Sequence, residues 1–336
     1  MDTQEPIVST KQGKLKGAKE GNIFIFKGIP YATPPVGALR WTLPQPPAPW
    51  DGVRPALEYG TIAPQNPMPS GFIGGGKPEP QDEDCLYLNI YTPGLDDNKR
   101  PVMVWIHGGA FSLGSGSEAM YRSTTLPEKG HVVLVTINYR LVALGFLNLD
   151  HVTGGKIPST GNEGILDQFA ALLWVRDNIK GFGGDPGNVT IFGESAGGMS
   201  VASLMVRPCA QGLFHKAIIE SAVGAIARPL ENSIFTAETF LKIAGLKAND
   251  IDGIRELPVE KILKVQTQVA RKTDQGEAPC IPVADGRIMP LIPLDAFSKG
   301  VAAKVPTLVG SNLDEQKLFS LMNPAHLSMV KIETPW

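Results

Sequence analysis

The sequence predicts an α/β fold, a mostly parallel central sheet covered by helices, and three observations carry that reading. Short apolar, β-branched runs alternate with longer amphipathic stretches along the chain. One such run, residues 189–192, leads through Gly193-Glu194-Ser195-Ala196-Gly197 into a segment of helical character. Another, residues 102–106, enters the glycine-rich stretch His107-Gly108-Gly109-Ala110-Phe111 without a linker.

Taken in order, residues 7–31 read as a small N-terminal antiparallel sheet, with turns at Gln12-Gly13 and Gly21-Asn22 and a strand at 23–27. Residues 30–50 are too rich in proline for regular structure. The Pro- and Gly-rich stretch 64–80 is a long loop of the kind that often carries function. Strands are expected at 86–91, 102–106, 132–138, 189–192, 217–220 and 307–309. Helices are expected at 165–179, with Leu166, Phe169, Leu173 and Trp174 facing inward, and at 199–206, stopped by Pro208. Two more, at 233–244 and 259–272, follow, the second mostly polar and on the surface. With no repeat and no linker, residues 1–336 read as one domain.

Bulk properties exclude several functions. The 336 residues are 43% hydrophobic, ample for a core. A net charge of −2 gives no nucleic-acid or polybasic membrane surface. No apolar run approaches the ~20 residues that span a bilayer, and the polar N-terminus has no signal-peptide core. Cys85, Cys209 and Cys280 form neither a metal-ligand spacing nor an even disulfide set, so a reduced, cytoplasmic protein without metal is expected.

G-x-S-x-G between a strand and a helix is a nucleophile elbow, where the chain turns so sharply that the serine side chain stands clear of the backbone. A serine so held is placed to attack a carbonyl. The chemistry then needs oxyanion donors, a base and an acid. The loop after 102–106 matches the type that lines an oxyanion hole, so the N–H groups of Gly109, Ala110 and Ala196 are the expected donors. Glu194, beside the nucleophile, is either a source of negative potential or a structural carboxylate. Gly114-Ser115-Gly116-Ser117-Glu118-Ala119 also matches a dinucleotide fingerprint. It lies well beyond its strand and lacks a following helix or acidic partner, so no nucleotide or other cofactor is expected.

Residues 83–93, EDCLYLNIYTP, resemble the second signature of type-B carboxylesterases, and 182–197 resemble their serine signature. Residues 26–32, 104–111, 138–140, 161–179 and 282–286 are similar to the same family, in its order. The resemblance implies an α/β-hydrolase fold, hydrolysis of small carboxylic esters through an acyl-serine on Ser195, and a Ser-Glu-His triad. It implies Glu315 as the acid, closing Gly310-Ser311-Asn312-Leu313-Asp314-Glu315, with Asp314 as its rival. No tryptophan lies at 74–77, where choline-binding members carry one, and no cysteine precedes Cys85 to pair with it.

The base is the gap. After Glu315 the chain holds one histidine, His326, in the right order but too close to the acid and without a preceding strand. The expectation is therefore a family member lacking the C-terminal part of the fold and the triad histidine. The base would come from a complementing C-terminal polypeptide, or the chain would be an inactive fragment or a binding protein on the same fold.

Overall fold

The computed structural model describes residues 5–67, 79–222, 227–272, 279–315 and 317. Its centre is an eight-stranded sheet. In chain order the strands are β1 (Ala18–Glu20), β2 (Ile23–Pro30), β3 (Tyr87–Thr92), β4 (Arg100–Ile106), β5 (Val133–Ile137), β6 (Gly184–Glu194), β7 (Lys216–Glu220) and β8 (Thr307–Gly310). Across the sheet the order is β8-β7-β6-β4-β5-β3-β2-β1. The run from β8 to β5 is parallel, and β3, β2 and β1 continue it antiparallel.

The interior strands are continuous apolar runs because helices bury them. Val102, Val104 and Ile106 of β4 are fully buried on one face, while Met103 and Trp105 on the other are half-buried. The first face packs on helices α1 (Glu163–Asn178) and α2 (Ala196–Met205). The second carries a smaller cluster of Ile23, Ile25, Tyr91 and Leu134. At the end of the sheet, Leu308 and Val309 of β8 are 65% and 68% exposed.

The N-terminal expectation needs correction. Ile7–Ser9 pairs antiparallel with Lys14–Lys16, but Val53–Pro55 adds parallel to the latter, so the small sheet is mixed. The 23–27 strand belongs instead to the central sheet as β2. The inner face of α1 also differs. Leu166 and Trp174 are buried, but Phe169 and Leu173 only partly, because Ile165, Gln168, Leu172 and Val175 fill the buried side. Helix 259–272 forms as expected, as Val259–Lys272, and buries Ile262, Val265 and Val269. His151 lies in a short helix, Asp150–Thr153. Most of the 64–80 loop lies outside the described residues.

The topology fixes where chemistry can sit. The chain passes from β4 outward to β5, then returns to place β6 on the other side of β4. Such a reversal opens a crevice beyond the carboxyl ends of the two strands. The loops leaving β4 and β6 are His107–Phe111 and the Ser195 turn.

Candidate active site

β6 ends at Glu194 and α2 begins at Ala196, leaving Ser195 alone to reverse the chain. Its backbone sits at φ 55°, ψ −121°, a conformation that a non-glycine residue holds at a cost of about 1–3 kcal/mol. The flanking glycines are dictated by contact. A Cβ on Gly197 would lie 2.0 Å from the Ile106 carbonyl oxygen, and one on Gly193 would lie 2.6 Å from it. The last carbonyl of β4 therefore packs directly on the turn. The Ser195 N–H donates to Glu220 O at 2.9 Å, anchoring the turn to β7. Ala196 opens the ten-residue α2, where first-turn N–H groups lack intrahelical acceptors.

The loop after β4 meets this turn from the other side. A Cβ on Gly108 would stand 2.8 Å from Glu194 O and 3.4 Å from Ser195 Cβ. Gly109, Ala110 and Phe111 then adopt φ of 103°, 53° and 57° in succession. Among the described residues, the N–H groups of Gly109 and Ala110 have no acceptor. Phe111 anchors the loop in the core, its ring 5.0 Å from Phe146.

His107, the residue before Gly108, is buried, and its ring stacks on Tyr139 at 4.4 Å. Nδ1 lies 2.9 Å from Gly108 O, so it carries the proton, and Nε2 is buried without a partner among the described residues. Burial pulls its pKa down to about 4, so the ring is neutral at pH 7. Tyr139 Oη donates to His107 O at 2.9 Å.

Register brings Glu194, Glu220 and Gly310 side by side at the carboxyl ends of β6, β7 and β8. Just beyond, Glu315 Oε2 accepts from the Asn312 N–H at 2.6 Å and from Ser221 Oγ at 3.1 Å. Partial desolvation, followed by the charges of Glu315 and Glu220, raises the pKa of Glu194. Asp314 instead pairs with Lys317 at 2.8 Å on an exposed flank. Ser221 went unnoticed in the sequence. The signal was a second Glu-Ser pair, Glu220-Ser221, ending the strand beside Glu194-Ser195.

The other described histidines lie elsewhere. His131, two residues before β5, and His215, directly before β7, lie at the entry ends of those strands, opposite the edge that carries Ser195, and His151 lies in the short helix Asp150–Thr153. His215 Nδ1 accepts from the Val189 N–H at 3.1 Å. His326 lies outside the described residues. The glycines of the 114–119 motif serve packing: a Cβ on Gly114 would strike His107 Nδ1 at 2.7 Å, and one on Gly116 the Ile137 carbonyl at 2.7 Å. A single 3₁₀ turn, Ala119–Tyr121, follows directly, and the next helix, Thr125–Gly130, is only six residues long. Among the described residues no His, Cys, Asp and Glu cluster is arranged to hold a metal. Nor is any helix there long and apolar enough to cross a membrane.

Comparison with known proteins is consistent across sequence and structure. The family model described as "Carboxylesterase family" matches residues 4–334. Para-nitrobenzyl esterase of Bacillus subtilis is 44% identical over 317 residues, covering 93% of this chain and 63% of that protein. Phenmedipham hydrolase of Pseudarthrobacter oxydans is 39% identical, covering 92% of this chain and 62% of that protein. The crystal structure of a Geobacillus stearothermophilus carboxylesterase superposes with a TM-score of 0.87 at 42% identity, covering 96% of this chain and 64% of that one. The chain thus spans a little under two thirds of these relatives.

Proposed function

Since this chain belongs to the carboxylesterase family, we propose that it carries the nucleophile, oxyanion donors and acid of a carboxylic ester hydrolase within one α/β-hydrolase domain. Ser195 Oγ attacks the ester carbonyl as its proton passes to a base. The N–H groups of Gly109, Ala110 and Ala196 take the negative charge of the tetrahedral intermediate, each worth about 2.7–4 kcal/mol in such sites. The protonated base returns the proton to the leaving alcohol, and water then releases the acid from acyl-Ser195 by the same route in reverse. Glu315 orients the base and offsets its charge. No cofactor enters the scheme.

The observation that carries this reading is the approach of Gly108 to the strained Ser195 turn, 3.4 Å from a Gly108 Cβ position to Ser195 Cβ. It juxtaposes the free N–H groups of one loop with the hydroxyl of the other. Among the described residues no histidine hydrogen-bonds to Ser195: His107 is buried with its pKa pulled down to about 4, His131 and His215 border the far edge of the sheet, and His151 lies in the short helix Asp150–Thr153. The proposal therefore takes the base from His326 or from a complementing C-terminal polypeptide outside these 336 residues. The name of the Bacillus subtilis relative, para-nitrobenzyl esterase, supports a small ester as the substrate class. The free cysteines Cys85, Cys209 and Cys280 fit a cytoplasmic setting.

A fluorophosphonate probe tests the scheme. Rapid labelling lost in Ser195→Ala, with hydrolysis of p-nitrophenyl acetate, supports an activated nucleophile. Absence of both selects the second reading, an inactive fragment or binding protein on this fold.

A further inference from the structure

The strained loop His107–Phe111 rests on the segment that follows it, and two side chains from outside grip that segment. Gln65 clamps Gly114 in both directions: Gly114 N–H donates to Gln65 Oε1 at 2.8 Å, and Gln65 Nε2 donates to Gly114 O at 3.1 Å. The clamp is itself held, because the Gln65 N–H donates to Gln81 Oε1 at 2.9 Å and Nε2 also reaches Ala63 O at 3.0 Å. Glu79 takes the next residue and a later one. Its carboxylate accepts from Ser115 Oγ at 2.7 Å and from Arg122 Nη2 at 2.8 Å, while Arg122 Nε donates to Ser117 O at 2.6 Å. Ser115 and Ser117 are buried.

What these two residues hold lies against the loop. Gly114, at φ 103°, packs so closely that a Cβ would come within 2.7 Å of His107 Nδ1 and 2.9 Å of Gly108 O. The His107 ring has Gly114 on this side and Tyr139 stacked against it. Its Nδ1 proton can then reach only Gly108 O, and that bond fixes the peptide leading into Gly109 and Ala110. A run of three positive-φ residues persists only where its surroundings over-determine it.

We propose that Gln65 and Glu79 are positioning residues for the oxyanion loop, acting through Gly114, Ser115 and the His107 ring. The assignment rests on reading Gly109 and Ala110 as oxyanion donors, and neither Gln65 nor Glu79 touches substrate. Gln65 and Glu79 lie at the two ends of the 64–80 loop, so those ends are tied to the platform beneath the oxyanion donors.

Amide hydrogen exchange read by mass spectrometry on the intact chain tests this without requiring turnover. In Gln65→Ala and Glu79→Gln, peptides covering 107–113 exchange about tenfold faster, while peptides from β4 and β6 keep the wild-type rate. Gln65→Glu, which keeps the acceptor for Gly114 N–H, restores part of the protection. In parallel, kcat for p-nitrophenyl acetate falls about tenfold to hundredfold with KM unchanged. Unchanged exchange at 107–113 overturns the proposal. So does faster exchange throughout the sheet, or faster exchange at 107–113 with undiminished kcat. If the wild-type chain shows no turnover, the hydrolase reading fails on its own, and the exchange data still decide whether Gln65 and Glu79 hold the loop.

Discussion

Ser221 Oγ donates to Glu315 Oε2 at 3.1 Å, tying the carboxylate beyond β8 to the residue that follows β7. Ser221 is itself in a left-handed conformation, φ 50°, with its N–H donating to Gly310 O at 2.8 Å. The hydroxyl thus has little freedom, and Glu315 keeps one oxygen in a fixed place. If Glu315 orients the base, Ser221→Ala leaves only the Asn312 N–H on that oxygen. The variant should fold normally yet lose about tenfold in kcat, the scale of one charge-assisted hydrogen bond of about 1.5–3 kcal/mol partly compensated by water. Steady-state kinetics beside a thermal melt would check it, and a wild-type kcat would remove Ser221 from the arrangement.

The glycines of the elbow differ from glycines elsewhere in what surrounds them. Gly197→Ala places a methyl 2.0 Å from the Ile106 carbonyl, where only backbone movement relieves the clash. The expected loss is about 3 kcal/mol or more of stability, with reduced soluble yield. Gly21 has φ +59° but open space around it. Its alanine variant should lose only about 1–2 kcal/mol, the cost of a left-handed residue. Urea unfolding midpoints of the two variants give the comparison, and equal losses would show that the packing at Ile106 is looser than described.

Glu194 makes stability depend on pH. Partial desolvation and the neighbouring charges of Glu315 and Glu220 raise its folded pKa above the ordinary 4.5. A raised carboxyl binds more protons folded than unfolded, so its contribution falls as pH climbs from the unfolded pKa through the folded one. Glu194→Gln removes that cost. It should be more stable than wild type at pH 7.5, and the advantage should vanish below about pH 4, where both forms are uncharged. Denaturant titrations at the two pH values read the difference directly. An advantage that is the same at both would trace to something other than charge.

The elbow and the loop after β4 were legible because each is local. A strand, a turn and a helix within residues 184–205 announce themselves by glycine spacing and apolar runs alone. Ser221 was not, because only the register of two parallel strands sets Glu220 beside Glu194. The same holds for Val53–Pro55, which returns to pair with Lys14–Lys16 after a long excursion. The inner face of α1 was misread for a different reason. Its buried side includes Asp167 and Gln168, polar residues whose partners Arg140 and Ser200 lie on other elements. Hydrophobic periodicity is blind to such positions.

All three cysteines are free, and their surroundings separate them. Cys85 and Cys280 are buried, and burial pushes the Cys280 thiol up to about 12 and raises that of Cys85 as well. Cys209 is exposed, after α2. Ellman's reagent should therefore titrate one thiol in the native chain and all three in guanidinium. A second fast thiol in the native state would mean that one of the buried sites opens readily.

Arg140 and Asp167 form the most deeply buried ion pair described, with side chains 4% and 0% exposed. Asp167 Oδ1 accepts from Arg140 Nη2 at 2.7 Å, and Oδ2 accepts from both Nε at 2.8 Å and the Arg140 N–H at 3.0 Å. Nη1 donates to Thr42 O at 2.9 Å, so the guanidinium joins α1, the segment after β5 and the proline-rich connection. Asp167→Asn keeps the shape but strands a buried positive charge, and should cost about 3–5 kcal/mol. Asp177, paired with Lys11 at 3.0 Å and Arg176 at 2.8 Å near the surface, sets the contrast. Its asparagine variant should cost about 0–1 kcal/mol, since solvent screens exposed pairs. Equal shifts in the urea midpoint would mean that water reaches the Arg140 guanidinium once its partner is neutral.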